Sequence, residues 1–539
     1  MARRRLTMFS KLLLTILIVG AIVFGGKYLL DNTAIGGELQ NQVERMEKDQ
    51  ASNPDNASSD ISNSDDSNRG NFSGDDDDVI KIGVVTWGGY AGGQYFNEGF
   101  EASRNSRFYK DYGLKVEFKV LDDFEASRNA FRADEVNLLW ATIDAFPTEV
   151  NGLSDFDPVI VMQADWSRGG DAVVARRGIT KVSDLKGKKI AVAELTPSHS
   201  FLIWLLEAGG LSTSDVEIVP QASAIDAAEI FKSQRVDAAV VWSPDDILCV
   251  KAVPGSRVLE NTKSAAYIIA DVFMAKRAYV ERNRNDLQKL YEGWMTGAAE
   301  INSSSRSRRK AAQILAREFT ERGTALTSDE ADEMIGNVRL TTHGDNKNFF
   351  GLNSNYKGVS GNNLYSSMAE RYRDLGFIEG RVPAWRQINY PQLVNSTSLT
   401  QEMHFAEASK SFEAVTEADE TKAAIATKQV SIRFRTGEFH LDENAKYIID
   451  KEFVDIARAF GNSRIRIEGN TDSTGDYTRN VQLSRQRAQS VADYFVNEYG
   501  MPRNRFVIVG NGPDKPVASN NTDAGRAQNR RTDFELIAE

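Results

Sequence analysis

The stretch that decides the fold of the C-terminal region is residues 464–475, which read RIRIEGNTDSTG. The first five residues alternate polar and apolar side chains, and this alternation predicts a half-buried strand. The rest of the stretch is rich in glycine, asparagine, threonine and aspartate, which predicts a tight loop. Apolar residues then recur at helical spacing on one face. They are Ala488, Val491, Ala492, Phe495 and Tyr499.

A loop residue and a helix residue of this segment suit the recognition of a zwitterion. At about 100° per residue, Asn480, Ser484 and Arg487 fall on one stripe of the helix, so Arg487 can converge with Asp472 of the loop. The carboxylate would accept from an ammonium group, and the planar guanidinium would donate to a carboxylate. The alternative is an ordinary salt bridge between a loop aspartate and a surface arginine.

The order of three motifs, at residues 469–475, 480–488 (NVQLSRQRA) and 525–531 (GRAQNRR), resembles the OmpA-like peptidoglycan-binding domain. The resemblance implies that Asp472 and Arg487 bind the free end of diaminopimelate in a peptidoglycan stem, with Thr471 and Asn480 at the same site. Asn470 stands where many members of the family carry histidine, and we expect this difference to matter little.

The resemblance and the patterning place this domain at residues 429–539, with an α/β fold of order βαβαββ. We expect a first strand at Val430–Phe434 and further strands at Phe506–Val509 and Thr532–Ile537. Apolar residues at helical period predict a helix between the first two strands. They are Leu441, Ala445, Ile448, Ile449, Phe453, Ile456 and Phe460.

Composition limits the classes of protein that fit. A chain of 539 residues is too long for one core and predicts two to four domains. The net charge of −11 argues against a general nucleic-acid binder. The single cysteine, Cys249, forms no internal disulfide and is expected to be a buried small hydrophobe. Because the four histidines are scattered and no CxxC pair occurs, we expect no metal site and no cofactor.

The N-terminal residues 1–30 predict a membrane anchor. Arg3, Arg4, Arg5 and Lys11 precede an uncharged run, residues 12–26, which is just long enough to span a bilayer when the flanking residues help. The positive-inside rule then places the N-terminus in the cytoplasm and the bulk of the chain in the periplasm of a bacterium, on the inner membrane. The alternative is a signal peptide cleaved near Val23-Phe24-Gly25.

Two segments read as linkers. Residues 31–78 are rich in asparagine, serine and aspartate and nearly free of apolar residues after Met46, so we expect a disordered, extended acidic tether. Residues 395–428 are polar, and stretches such as Ala406–Ala414 predict a partly helical linker.

Residues 79–394 alternate strand and helix patterns, which predicts an α/β domain with doubly wound parallel sheets. A glycine-rich loop, Trp87–Gly93, follows the first predicted strand at Lys81–Val85. The other predicted strands are Leu114–Val120, Lys189–Ala193 and Ala238–Val241, and the predicted helices are Phe201–Ala208 and Ala224–Ser233.

This middle region resembles periplasmic solute-binding proteins of the nitrate, sulfonate and taurine class that serve ABC transporters. The resemblance is carried by residues 167–175 (SRGGDAVVA), 182–192 (VSDLKGKKIAV), 196–200 (TPSHS) and 236–244 (VDAAVVWSP). It implies a two-lobed periplasmic-binding-protein fold with a small solute in the cleft. The implied pocket positions are Trp87, Thr142, Asp144, Gly170, Asp171, Thr196, Ser198, His199 and Trp242.

The charge that this cleft would accept is open at the level of the sequence. The turn at Thr196 opens a helix, whose free N–H groups would suit an anion, with Ser198 and His199 as further donors. Asp144 and Asp171 would repel an anion unless their charge is otherwise engaged. The alternative reading makes Trp87 and Trp242 hinge or core aromatics.

The favoured function is a non-enzymatic envelope protein that is anchored in the inner membrane and holds peptidoglycan. The alternative is the receptor of an ABC permease for a small anion or organic solute. A stator subunit of an ion-driven motor is disfavoured because residues 12–26 carry no acidic group. Catalysis is disfavoured because His199 has no paired base or nucleophile.

Overall fold

The computed structural model describes residues 78–432, 434–435 and 437–538. The predicted anchor and the predicted acidic tether, except its last residue Asp78, lie outside the described residues. Across the described ranges, every helix is too short or too polar to cross a bilayer.

The order of elements alternates strands and helices through most of the described chain. The strands are β1 (Val79–Val84), β2 (Lys115–Val120), β3 (Leu138–Thr142), β4 (Pro158–Ser167), β5 (Asp171–Ala175), β6 (Lys189–Ala193), β7 (Glu217–Gln221), β8 (Ala238–Trp242), β9 (Arg257–Asn261), β10 (Ala270–Lys276), β11 (Val338–Leu340), β12 (Ala424–Val430), β13 (Arg464–Asn470), β14 (Phe506–Gly512) and β15 (Thr532–Ile537). The helices are α1 (Ala91–Phe96), α2 (Arg107–Tyr112), α3 (Phe124–Arg132), α4 (Pro197–Ala208), α5 (Ala224–Lys232), α6 (Asp245–Ala252), α7 (Arg277–Arg282), α8 (Arg284–Ser303), α9 (Ser305–Glu321), α10 (Ser328–Gly336), α11 (His343–Phe349), α12 (Gly361–Asp374), α13 (Trp385–Ile388), α14 (Gln392–Ser396), α15 (Glu417–Thr421), α16 (Glu443–Ile449), α17 (Asp455–Ala459), α18 (Tyr477–Tyr499) and α19 (Asp523–Asn529).

The middle region forms two lobes, each built on its own sheet. The first lobe has the strand order β11-β4-β10-β3-β1-β2, and the second has the order β7-β6-β8-β5-β9. The chain crosses from the first sheet to the second at residues 168–170, between β4 and β5, and returns at residues 262–269, between β9 and β10. This arrangement agrees with the expected two-lobed α/β fold.

The expectation of purely parallel sheets is wrong. Strands β1, β2 and β3 are parallel, as are β6, β7 and β8. However, β10 runs antiparallel to β3 and β4, and β5 runs antiparallel to β8 and β9. The difference arises at the crossings, because a strand that enters a sheet from the other lobe runs against its neighbours instead of following a helical crossover.

The glycine-rich segment after β1 is not an open loop. It forms a short turn at Gly88–Tyr90 and then α1. A Cβ atom at Gly89 would lie 1.2 Å from Asp165 Oδ2. The backbone at Gly89 therefore lies directly against the Asp165 side chain of β4, and no residue with a Cβ atom would fit there. Here glycine serves close packing rather than flexibility.

The core of the middle region contains large aromatic residues such as Trp294, Tyr291 and Phe118, all buried. Cys249 is also fully buried and free, which confirms its expected role as a small hydrophobe. The middle region thus has a closely packed apolar core.

The C-terminal region forms a four-stranded sheet of order β12-β15-β13-β14. Strands β13 and β14 are parallel, and β15 pairs antiparallel with both β12 and β13. Helix α18 packs on β13 and β14, and Phe495 of α18 stacks on Phe506 at a centroid distance of 5.5 Å. The strand-loop-helix prediction for residues 464–499 is confirmed.

Three details of this region differ from the expectations. The first strand is Ala424–Val430 rather than Val430–Phe434, since Ala424 to Val430 pair with β15. The expected long helix is α16 and α17, separated by a π-helical turn at Asp450–Val454. A further short helix, α19, lies before β15, so the order is βαβαβαβ instead of βαβαββ.

The linker predicted at residues 395–428 is partly helical, as expected, but its helix is α15, and residues 406–414 are extended chain. Two side chains of this extended stretch contact other parts of the chain. Glu407 pairs with Arg168 of the first crossing at 2.9 Å, and Phe412 is buried near the guanidinium of Arg505. These contacts with both neighbouring regions outweigh the local helix propensity of the alanine- and glutamate-rich sequence.

Candidate functional site

The C-terminal site is formed where β13 ends beneath helix α18. A Cβ atom at Gly469 would lie 2.1 Å from the carbonyl oxygen of Ser484, so glycine allows the helix to rest directly on the strand. The loop after the strand is fixed by its backbone, since Thr471 N donates to the carbonyl of Gly512 at 2.8 Å. This geometry brings Asp472 and Arg487 to the same end of the sheet.

Asp472 forms an ion pair with Arg530, whose Nη1 lies 2.5 Å from Asp472 Oδ2. Its other carboxylate oxygen accepts from Thr474 N at 2.9 Å. Burial opposes ionisation of this carboxyl, but the hydrogen bonds from Arg530 and Thr474 outweigh it and lower the pKa of Asp472. Arg530 belongs to the third motif, yet sequence reasoning gave it no role.

Arg487 lies on the buried side of α18, with 8% of its surface exposed. Its Nε donates to the carbonyl of Glu438 at 3.0 Å, and its guanidinium lies 4.8 Å from the centre of the Phe434 ring. Burial and the charge of Arg530 lower the pKa of Arg487, and only Asp472 acts in the opposite direction. The site therefore holds two cationic groups near one carboxylate, which favours an anionic group as a ligand.

A cavity of about 340 Å³ opens beside these groups. Its lining includes Phe434, Gly469, Asn470, Arg487 and Arg530. This volume fits the end of an amino-acid side chain with its charged groups rather than a large ligand.

Three of the four predicted residues, Asp472, Thr471 and Asn480, lie beside this cavity rather than in its wall. Thr471 is buried, and its hydroxyl has no hydrogen-bond partner among the described residues. The amide of Asn480 donates to the carbonyl of Thr474 at 3.0 Å, which holds the loop.

The second site lies between the lobes of the middle region, where a row of polar side chains crosses the first sheet. Asp271 on β10 is paired with Thr142 on β3 and with Asp165 on β4, so the three residues lie side by side across adjacent strands. Asp171, the first residue of β5, receives a hydrogen bond from Ser167 at 2.7 Å. Asp144 follows β3 and is fully buried.

Aromatic donors meet two of these carboxyl groups. Trp87 Nε1 donates to Asp165 at 2.8 Å, and the Tyr90 hydroxyl donates to Asp271 at 2.9 Å. Burial is the main cause that raises the pKa of Asp144 and of Asp171, each to about 7. Burial also raises the pKa values of Asp165 and Asp271, with a further increase at Asp165 from the charge of Asp171 and at Asp271 from the charge of Asp165.

The cleft is closed at Gly170. A Cβ atom on this glycine would lie 2.0 Å from the Trp87 ring, so the indole of the first lobe rests directly on the backbone of the crossing. On the second lobe, Trp242 Nε1 donates to Ser198 at 3.1 Å. The structure thus brings most of the predicted cleft residues together.

The Thr196 turn does not present the donors that the sequence indicated. Helix α4 begins after it, as expected, but the Thr196 hydroxyl donates to the carbonyl of Ala193 at 2.7 Å. His199 Nδ1 accepts from Leu195 N at 3.3 Å, and its ring packs edge-on against Tyr372 and Phe377. Because burial lowers the pKa of His199 to about 4, it is a neutral packing residue.

Sequence reasoning missed Asp165, Asp271 and Tyr90. The signal was present, because each aspartate is an acidic residue within a strand that is mostly apolar. Charged residues are rarely buried unless they are paired, so an aspartate within an apolar strand is a candidate site residue.

Comparison with known families divides the chain into the same two parts. Residues 433–530 match the model of the OmpA family, and residues 102–303 match the model described as NMT1/THI5 like. The chain therefore joins an NMT1/THI5-like segment to a C-terminal OmpA segment, which confirms both resemblances.

Curated relatives match the C-terminal segment. Outer membrane porin F of Pseudomonas aeruginosa is 38% identical over 117 residues, which is 22% of this chain and 33% of that protein. The peptidoglycan-binding protein ArfA of Mycobacterium tuberculosis is 43% identical over 90 residues, 17% of this chain and 27% of that protein. This chain spans about a third or less of the length of these two relatives.

Among solved structures, the periplasmic aliphatic sulphonate binding protein SsuA of Escherichia coli is similar to this chain at 18% sequence identity and a TM-score of 0.45. The match covers 59% of this chain and 99% of that one.

Proposed function

We propose that the protein is a non-enzymatic component of the bacterial cell envelope that binds peptidoglycan through the cavity beside Asp472, Arg487 and Arg530. In this proposal the free carboxylate of diaminopimelate contacts the two guanidinium groups, and its ammonium contacts Asp472. Thr471 and Asn480 keep their proposed places at the site, the first through its hydroxyl and the second through the loop it holds.

The observation that carries the proposal is the arrangement of charged groups at the cavity, with two arginines beside one carboxylate. Arg487 is close to Arg530 and is not paired with a carboxylate, so an incoming carboxylate would relieve the repulsion between the buried Arg487 and the more exposed Arg530. An ordinary surface salt bridge between Asp472 and Arg487 is not formed, since Asp472 pairs with Arg530. The match to the OmpA family and the similarity to the peptidoglycan-binding protein ArfA support peptidoglycan as the ligand.

The test is co-sedimentation of the full chain with purified diaminopimelate-type peptidoglycan. Arg487→Ala or Asp472→Ala should lower the bound fraction strongly, because each removes a charged hydrogen bond that contributes about 1.5–3 kcal/mol. Arg503→Ala is the matched control, since Arg503 is an exposed arginine of the same region and pairs with Asp493. Binding of both site variants at the wild-type level would overturn the assignment.

We also propose that residues 1–30 tether the protein to the inner membrane, with the bulk of the chain in the periplasm. The basis is the arginine cluster before the uncharged run at residues 12–26. Mass spectrometry of the protein from cells decides between the readings. An intact N-terminus supports the tether, whereas a chain that begins near Gly26 shows a cleaved signal.

The alternative function is a solute receptor for an ABC permease. It is favoured by the two-lobed middle region, where the chain crosses twice between sheets and polar groups gather in the cleft. The cleft positions proposed from the sequence keep this role, except that His199 is packed as a neutral core residue. Loss of solute uptake through a partner permease in cells that lack only this protein would favour the receptor function.

A further inference from the structure

The cleft of the middle region gathers four aspartates without a basic partner. Asp144, Asp165 and Asp271 come from the first lobe, and Asp171 begins the first strand of the second lobe. All four are buried, with at most 5% of their surface exposed. Within the part of the chain that the structure describes, their hydrogen bonds come from backbone, hydroxyl and indole groups, and none of the four pairs with lysine or arginine.

Two carboxyl oxygens in this cleft have no hydrogen-bond partner among the described residues. They are Asp144 Oδ2 and Asp165 Oδ1, and both side chains are fully buried. Buried polar atoms in folded proteins are nearly always paired, and an unpaired buried carboxylate is far more costly than an unpaired neutral group. Asp165 Oδ1 therefore marks a place for a donor that the described residues do not supply, whereas Asp144 has the Ser200 side chain close to it.

Aromatic rings surround the same carboxyl groups. Trp87 and Tyr90 donate to Asp165 and Asp271, and Trp242 is the strand partner of Asp171 across β5 and β8. Trp87 and Trp242 are half-buried. The face of an aromatic ring attracts a cation, and rings grouped with carboxylates are the usual means of recognising an organic ammonium group.

We propose that the cleft between the lobes binds a small organic ammonium compound, which enters when the lobes separate and Trp87 leaves Gly170. Its cationic nitrogen lies against Asp165, Asp271 and Asp144, with Trp87 and Trp242 around its alkyl groups. This proposal rests on the solute-binding role of the middle region and assigns a cation where the sequence leaves the charge of the ligand open. An anion would face four carboxyl groups, none of which pairs with a lysine or arginine among the described residues.

The organic character of the cation follows from the rings as well as from the carboxyl groups. The described residues contain no group of three or more histidine, cysteine or acidic side chains arranged to hold a metal ion. The three aspartates of the first lobe instead lie near a sheet edge beside aromatic rings, which suits an alkylated nitrogen.

The test compares two solutes that share a 2-hydroxyethyl group but differ in charge: choline and isethionate. Calorimetric titration of the full chain should show binding of choline and no binding of isethionate. Asp165→Asn and Asp271→Asn should each weaken choline binding by about tenfold or more, because each removes a charge in contact with the ligand. Asparagine matches the shape of a protonated aspartate, so both variants should fold.

The control variant is Asp286→Asn, which removes an exposed acid on α8 that pairs with Lys289. It should bind choline as the wild type does. Ethanolamine, tested in parallel, reports whether the site prefers a primary or a quaternary nitrogen, and binding of either supports the proposal.

Several results would overturn the inference. Binding of isethionate alone would contradict a cation site but leave the solute-binding role intact. A response to calcium alone would show a metal site in place of an organic one. If no solute of the set binds, both the cation site and the receptor role fail, while peptidoglycan binding, tested by co-sedimentation, stands independently.

Discussion

The two polar sites of this chain treat charge in opposite ways. In the C-terminal region, buried acidic groups are paired with arginine: Asp472 with Arg530, and Asp533 with Arg531. In the cleft of the middle region, four aspartates are buried together without a basic partner. The first arrangement lowers the pKa of Asp472, and the second raises the pKa of each cleft aspartate.

This difference separates charge that stabilises a fold from charge that is kept for a ligand. A buried charge that has lost its partner is strongly unfavourable, so a paired site should lose stability when one partner is removed. A site of unpaired acids should gain stability when a charge is removed. The two regions can therefore be distinguished by substitutions of the same kind.

The largest expected effect is at Arg466, on the paired side of the comparison. Arg466 lies 3.1 Å from Glu468, contacts Glu535, and donates to the carbonyl of Lys422 at 2.7 Å. Arg466→Met should lower the free energy of unfolding by about 3–5 kcal/mol, because it leaves the buried Glu468 and the partly buried Glu535 side by side, with Lys515 as the remaining cation. Denaturant unfolding of the C-terminal transition measures it. A loss below about 1 kcal/mol would show that these charges are screened after all, and Arg503→Met is the exposed control.

The next effect is the pH dependence of the stability that the cleft aspartates contribute in the absence of ligand. The pKa values of Asp144 and Asp171 are raised to about 7 by burial, from 3.8. Between these values the folded state binds more protons than the unfolded state, so stability falls as the pH rises. The contribution is fully present below about pH 4 and is lost as the pH rises through about 7.

Melting curves from pH 4.5 to 8 test this sign. The double variant Asp144→Asn/Asp171→Asn should gain stability relative to the wild type as the pH rises, since asparagine does not ionise. If the two proteins keep a constant difference across this range, the cleft aspartates titrate normally and the comparison between the sites fails.

The smallest expected effect concerns Asn480. Its amide holds the loop carbonyl of Thr474 and does not line the cavity. Asn480→Ala should therefore weaken peptidoglycan binding only a few-fold, since one neutral hydrogen bond contributes about 0.5–1.5 kcal/mol. A loss as large as that of Arg487→Ala would instead place Asn480 in contact with the ligand.

The sequence predicted most where local pattern and motif coincide. The strand, loop and helix of residues 464–499 were predicted because alternation, turn residues and helical period all agree there. It predicted less where distant contacts decide. The conformation of Phe412 and Glu407 depends on Arg505 and Arg168, which lie far away in the chain. Helix α19 is short and polar, so no apolar period marks it.

The charge of the cleft was hidden for a related reason. Asp165 and Asp271 lie inside apolar strands that look like ordinary core, and only the strand register places them side by side. The partnership of Asp472 with Arg530 was equally hidden, because it joins the first motif of the C-terminal region to the third across 58 residues.

The most direct test of the central claim is a comparison of two peptidoglycans in one co-sedimentation experiment with the full chain. Lysine in place of diaminopimelate keeps the side-chain ammonium but lacks the free carboxylate that Arg487 and Arg530 are proposed to bind. The account predicts strong binding to the diaminopimelate type and at least tenfold weaker binding to the lysine type, since a charged hydrogen bond contributes about 1.5–3 kcal/mol. Equal binding to both would contradict the proposed role of the two arginines.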